Sequence, residues 1–323
     1  QVTACFAASV VSGTNDACGL VGTNSDSSII SCFWDMQKSG QAGSSGGKGL
    51  TTEQMKTMSI YQNAGWGAYD WVMNDGVDYP RLIWEGTSGV PIPVAVIPFA
   101  GSGTAEDPYL ISTTEEFALL SWYTAIRDKE IRLTANLDLN GALLWPIGDL
   151  GPFNGVFDGH GYTIRNGVIH QPSNNFVGLF SYVYYHGKIL NLCIENIDIT
   201  GRYYVGGVTG WNNGIITGCK ITGSVSGAFY VGGLIGETYW GTITSSSMNV
   251  SVNATGEFVG GLVGRLIGLE NYRHNVIDDC CVTGSVSGRN RVGGLLGENE
   301  YGDINGCYST SSVSGTGYVG GLM

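Results

Sequence analysis

One phrase recurs along this chain: YVGGVTG from Tyr204, YVGGLIG from Tyr230, FVGGLVG from Phe258, RVGGLLG from Arg291 and YVGGL from Tyr318, with a weaker copy, FVGLF, from Phe176. Its first valine falls at Val205, Val231, Val259, Val292 and Val319, a spacing of 26 to 33 residues. Self-similarity at such a period is the mark of a solenoid, in which each copy buries its apolar face against the next because none can bury it alone. Within one period, as in YVGGVTG, GIITGCKITG and SVSGAF, three short β-prone runs are separated by Gly or Asn-Gly, and none is long enough for a useful helix. Three strands per turn predicts an all-β fold of right-handed parallel β-helix (solenoid) modules with short capping helices.

Side-chain alternation supports the same reading. Ile216, Cys219, Ile221 and Val225 fall where one strand face would point into a shared core, while Thr217, Lys220, Thr222 and Ser224 can face water. The apolar positions recur as Ile277, Cys280, Val282 and Val286, and as Ile304, Cys307 and Val313. In this register Cys5, Cys32, Cys219, Cys280 and Cys307 share one slot, filled by Leu192 and Ser246 in other coils, so they read as a core ladder of buried thiols. Coils rise by about 4.8 Å, which allows a disulfide only between neighbours: Cys5 with Cys32, or Cys280 with Cys307, but not Cys193 with Cys281. Nothing in the pattern explains Cys18, which replaces a glycine.

The VGGLxG phrase, followed by G-x-I and a CYS-like strand ending in VSG, resembles the GLUG repeat of large bacterial surface and secreted proteins over roughly the last half of the chain. Upstream, GSGTAEDPYLISTTEEF, NLDLNG, WPIG and FNGVFDGHGYTIRNGVI resemble the segment that opens GLUG solenoids. CFWDMQKSGQ, GLTTEQMK and DYPRLIWEG resemble the segment that closes them. The resemblance implies architecture and a setting outside the cell or on its surface; it implies no reaction.

These segments divide the chain. Residues 1–86 read as the C-terminal end and cap of one β-helix module, where CFAASVVSG from Cys5 matches CYSTSSVSG from Cys307. A Thr51-x-x-Gln54 capping box opens a helix over LTTEQMKTMSI, and Trp66, Trp71, Tyr79 and Trp84 are suited to covering the last coil. Residues 87–103, TSGVPIPVAVIPFAGSG, are a Pro/Val-rich extended linker. Residues 104–323 hold the N-terminal cap and GLUG-repeat coils of a second module, whose cap helix starts at Ser112 or Thr113 and turns Phe117, Leu120 and Ala125 one way. Met323 stands where Leu296 stands and Gln1 where Asp303 stands, so a stretch like GENEYG would join end to start. That register predicts one period of an array whose partners are copies of itself end to end, joined covalently or by assembly.

Composition narrows the partners. Charged residues are 13% of the chain, and 15 Lys and Arg are scattered within a net charge of −12, which argues against a nucleic-acid groove. No apolar run of membrane-spanning length and no basic amphipathic helix is present, so membrane insertion is not expected. Gln1 opens inside a strand pattern, so no signal peptide is read here, and the extracellular or surface location rests on the resemblance.

Chemical motifs are sparse. Some GLUG-bearing proteins are IgA-cleaving metallopeptidases, but the His-Glu-x-x-His that such chemistry needs is absent, and His160, His170, His186 and His274 stand apart as loop residues. Asp158-Gly-His160-Gly resembles the Gly-His-Gly of polygalacturonases, yet their Asn-Thr-Asp is missing and the one Asp pair, Asp278 with Asp279, comes after it. Asp158 therefore reads as a corner residue. Asp75 and Asp78 are weak Ca²⁺ candidates outside EF-hand spacing; no other cofactor and no other metal site is expected. Aromatics around Tyr203, Tyr204, Phe229, Tyr230, Tyr239 and Trp240 suit either glycan stacking or ladders that stabilise coil corners. The expected function is that of a non-catalytic structural protein, a fibre, surface layer or adhesive stalk, with a surface polysaccharide as a second partner. The alternative is a carbohydrate-binding or carbohydrate-cleaving β-helix.

Overall fold

The computed structural model describes residues 1–13, 17–24, 28–268 and 275–323. The chain forms two compact units, one of residues 1–98, 119–127 and 149–151, the other of residues 99–118, 128–148 and 152–323.

The second unit is a parallel β-solenoid. One turn runs through strands Tyr203–Gly206, Thr209–Asn212, Ile215–Thr217 and Lys220–Gly227 before the chain returns at Phe229–Gly232, where Val231 pairs with Val205. The repeating coil thus has four strands rather than three, because the VGGVTG phrase is not one strand but two meeting at a corner. Stacking of the turns produces sheets of eight, nine, five and five strands, and the strand pairs between coils are parallel.

The paired glycines explain the corner. A Cβ at Gly206, Gly232, Gly260 or Gly293 would strike the carbonyl oxygen three residues on, at Thr209, Ile235, Val263 or Leu296. A Cβ on the second glycine, at Gly207, Gly233, Gly261 or Gly294, would strike the carbonyl of its counterpart in the following coil, Gly233, Gly261, Gly294 or Gly321. The first glycine lets the chain turn, and the second lets successive turns stack at strand spacing.

Inside the turn, like sits on like. Val177, Val205, Val231, Val259, Val292 and Val319 form one column. Ile216, Ile243 and Ile277 form a second, and Val225, Val252 and Val286 a third. All are at most 1% exposed except Val319 in the last coil, at 46%. Each such side chain contributes roughly 1.5–3 kcal/mol relative to its exposed state.

The unit opens with a capped helix, Thr114–Leu119, in which Thr113 Oγ1 accepts from the Glu116 N–H (3.2 Å) and a Glu116 carboxylate oxygen accepts from the Thr113 N–H (3.1 Å). Thr113, rather than Ser112, is the cap. The helix ends earlier than its sequence pattern predicts: the chain passes into a 3₁₀ turn at Thr124–Ile126, which buries Ile126 and leaves Ala125 exposed.

The first unit contains a parallel sheet of Phe6–Ala7, Phe33–Asp35 and Lys48–Leu50 and an antiparallel one of Arg81–Leu82, Trp71–Met73 and Val90–Pro91. Thr51 and Gln54 form the expected capping box, with bonds of 2.9 and 3.1 Å, but the helix it opens is broken into a 3₁₀ turn, Gln54–Lys56, and an α-helix, Met58–Asn63. Trp66 is the hub. It is fully buried against Phe6, Phe33, Tyr61 and Trp71, and its indole N–H donates to the Ser31 carbonyl at 2.8 Å. Tyr79 stacks on Phe6, whereas Trp84 is 75% exposed and takes no part in the cover, because the 3₁₀ turn Ile83–Glu85 carries it outward. Within residues 87–103, Val90–Pro91 is a strand and Ile92 is buried, so this part of the extended segment is hydrogen-bonded to the first unit.

Candidate functional site

The residue before each repeated valine sits in the left-handed backbone region: Phe176, Tyr204, Tyr230, Phe258, Arg291 and Tyr318 have φ between 46° and 63°. That conformation is costly for a residue bearing a Cβ. It throws each side chain out at the same corner, and the rings stack. Phe176 to Tyr204 and Tyr204 to Tyr230 are each 4.6 Å apart, and Tyr230 to Phe258 is 4.8 Å, with interplanar angles of 2°, 8° and 10°. The Arg291 guanidinium continues the column at 4.6 Å from the Phe258 ring.

A charged column runs beside it. Pairing register aligns Tyr182, Trp211, Glu237, Arg265 and Glu298 on successive coils. Arg265 meets Glu298 at 3.0 Å, Glu300 at 3.3 Å and Glu237 at 3.7 Å, and Arg291 meets Glu257 at 3.1 Å and Glu298 at 3.5 Å. Burial raises Glu237 to about 7 despite the opposing pull of Arg265. The sequence does carry a signal for this network: Trp211, Glu237, Arg265 and Glu298 each directly follow the last glycine of the repeated phrase. In both columns the ring faces and charges are spent on the neighbouring coil. Rings stacked at 4.6–4.8 Å offer a ligand only their edges, so Tyr204 and Tyr230 serve cohesion.

A different aromatic group lies at the next corner. Here the chain bridges Val183 to Lys188 with Tyr184-Tyr185-His186-Gly187, Asn212 to Ile215 with Asn213-Gly214, and Thr238 to Thr242 with Tyr239-Trp240-Gly241. The two-residue middle turn, Asn213-Gly214, is buried between the two longer aromatic loops, and this position is termed the notch. Tyr184 and Tyr185 meet edge to face at 4.4 Å, Tyr239 and Trp240 stack at 4.2 Å, and Tyr185 faces Trp240 across 6.4 Å. Tyr203 and Phe229 form a separate edge-to-face pair at 5.6 Å.

The cysteines lie as follows. Pairing puts Leu192, Cys219, Ser246, Cys280 and Cys307 in one column, each one residue before a paired position. Cys32, Cys219 and Cys280 are buried, but the expected ladder of buried thiols fails at Cys5, which is exposed, and is incomplete at Cys307, which is partly buried in the last coil; all are free thiols. Burial pushes Cys219 and Cys280 up to about 12 and Cys32 up to about 11, which keeps them protonated and poorly nucleophilic.

The acidic candidates serve protein donors. Asp75 accepts from the Met58 N–H at 2.8 Å, and Asp78 accepts from the Asn74 N–H at 2.8 Å and from Arg81 at 2.6 Å. Asp158 accepts from the His160 N–H (2.9 Å) and Asn191 Nδ2 (3.2 Å), an arrangement that holds a corner between coils. Asp278 accepts from Asn305 Nδ2 at 3.0 Å. His160 and His186 are exposed turn residues, whereas His170, also exposed, ends the strand Val168–His170 and pairs with Thr200 rather than lying in a loop; His274 lies outside the described residues. Among the described residues no helix is long and apolar enough to cross a membrane.

With this geometry in view, residues 288–314 match the GLUG motif. The chain is 30% identical over 170 residues, 49% of its length, to Halomucin of Haloquadratum walsbyi. It is 39% identical over 177 residues, 51% of its length, to a protein of Evansella cellulosilytica named as a Gly-rich membrane protein. It spans 2% and 20% of those relatives' lengths, and both names are non-enzymatic. Among solved structures it resembles a candidate immunoglobulin A1 protease from Bacteroides ovatus, with a TM-score of 0.53 and 19% identity over 67% of this chain and 79% of that one. That likeness concerns the fold.

Proposed function

We propose that this GLUG-motif β-solenoid is a non-catalytic structural module of an extracellular or cell-surface protein, a stiff stretch of a fibre, layer or stalk. The observation that carries the reading is the use of the chain's chemistry on itself: the phrase glycines, the stacked corner rings and the Arg265 network all bind one coil to the next. Such a stack is quasi-one-dimensional, so length and stiffness grow by adding coils without redesign of the core. Relatives named for a mucin and for a membrane protein support a setting at the cell boundary. Copies arranged end to end are the partners this reading expects.

Electron microscopy of untreated native material tests it. Rods or filaments with a regular coil repeat are the expected result, and turnover of a polysaccharide or protein substrate by the purified chain would overturn it.

A further inference from the structure

We propose that the notch between the Tyr184–Gly187 and Tyr239–Gly241 loops is a binding subsite for a neutral hexose polysaccharide. The first observation is the disposition of the rings. Unlike the stacked rings of the corner column, Tyr184 and Tyr185 meet edge to face and are 41% and 44% exposed. Tyr239 covers one side of Trp240, and the Tyr185 ring stands 6.4 Å from Trp240 at an interplanar angle of 32°. A sugar ring presents a face of C–H groups that packs on such a π-face, and its entry requires Tyr185 to swing away from Trp240.

The second observation is polar. Asn213, which lies in register between Tyr184 and Tyr239, is 4% exposed, and neither its Oδ1 nor its Nδ2 has a hydrogen-bond partner. Trp240 Nε1 is likewise buried and without a partner. Orphaned buried polar atoms are rare in folded proteins, and three of them at one corner call for a ligand that can satisfy them. An amide offers a donor and an acceptor side by side, the pattern matched by two adjacent sugar hydroxyls. The nearest titratable groups among the described residues of these two loops, His186 and Lys188, are exposed. Aromatic walls around a few neutral polar groups are the usual makeup of a small-molecule site, and the neutrality of the buried Asn213 amide and Trp240 indole favours a neutral sugar over an acidic one.

The test is titration of the full chain with cellohexaose, mannohexaose and maltohexaose, followed by tryptophan fluorescence and calorimetry. Saturable binding of at least one probe is expected. Trp240→Ala, Tyr185→Ala and Asn213→Ala should each weaken it at least tenfold, while Tyr318→Ala, at an 82% exposed residue of the corner column, should leave it unchanged. Circular dichroism and thermal melting check that each variant is folded; if Trp240→Ala is not, the Tyr185→Ala result decides. Absence of saturable binding by the wild-type chain to all three probes, or undiminished binding by folded Tyr185→Ala, would overturn the proposal. The scaffold reading stands whichever way this falls.

Discussion

In the coils, Val205 lies on Val231 and Val231 on Val259, and each valine meets a copy of itself above and below. Around Trp66, by contrast, Phe6, Phe33, Tyr61 and Trp71 meet the indole at ring angles of 40° to 59°, and of these only Phe6 and Phe33 pair like with like in register. The coil core is specified once and translated; the first unit's core is a single jigsaw. Their buried charges differ too. Lys48, fully buried with Nζ 3.3 Å from the Trp122 ring centroid, is pulled down by burial, and half-buried Asp149, whose Oδ2 is enclosed, is pushed up, each partly offset by the other. In the coils, buried Glu237 pairs with the partly exposed Arg265 in a column whose register repeats as the valines do while its residue types change. Repetition spreads stability evenly, whereas the jigsaw concentrates it in a few large side chains.

That contrast is easiest to break at Trp66. Trp66→Ala should cost about 4 kcal/mol, by lost burial and a cavity that surrounding rings cannot fill, read from denaturant unfolding. A cost below about 1 kcal/mol would mean that the first unit is as forgiving as a repeat. Next, Gly233→Ala should cost about 3 kcal/mol, because its Cβ would meet the Gly261 carbonyl, a backbone atom with no rotamer to escape through. A neutral substitution would show that the corner glycines do not set the stacking.

A pH series addresses the charged column. Glu237 is raised from 4.5 to about 7, so between those values the folded state holds a proton that the unfolded chain has released. Its contribution is therefore fully present below pH 4.5 and declines as pH rises to about 7, by no more than about 3 kcal/mol. Glu237→Gln should flatten the fall over that window, as measured by chemical denaturation at successive pH values. The smallest effect separates ring from backbone: Tyr230→Gly should be about 1 kcal/mol less destabilising than Tyr230→Ala, because both lose the stack but only glycine relaxes the φ of 58°. The reverse order would remove strain from the account of the corner column.

Much of the solenoid was legible because a repeat carries its own register. Once the valines were aligned, the cysteine slot and the inward set Ile216, Cys219, Ile221 and Val225 followed from strand alternation, and all four are at most 1% exposed. The strand count was misread because VGGVTG has β-prone residues on both sides of a corner that only the clash of a Cβ with neighbouring carbonyls reveals. Trp84 and Ala125 depart from their sequence pattern for a related reason: 3₁₀ turns at Ile83–Glu85 and Thr124–Ile126 change the direction of side chains that a longer, simpler element would bury. The candidate glycan aromatics look alike in sequence, but Tyr204 and Tyr230 spend their faces on one another, and Tyr184 and Tyr185, which the pattern does not single out, lie beside Trp240. The notch was written in the unequal turns YYHG, NG and YWG, which acquire meaning only when their flanking strands are in register.

The sequence by itself determined the repeating coil, its period and its inward columns, because nearest-neighbour stacking makes each copy's apolar pattern a statement about the next. Tertiary structure alone decided which aromatics lie face to face, how Asn213 comes to be buried between two tyrosine-bearing loops, and how Lys48 and Asp149 share one interior. Those outcomes depend on loop lengths, turn directions and the joining of distant segments, and none of these has a period for the sequence to repeat.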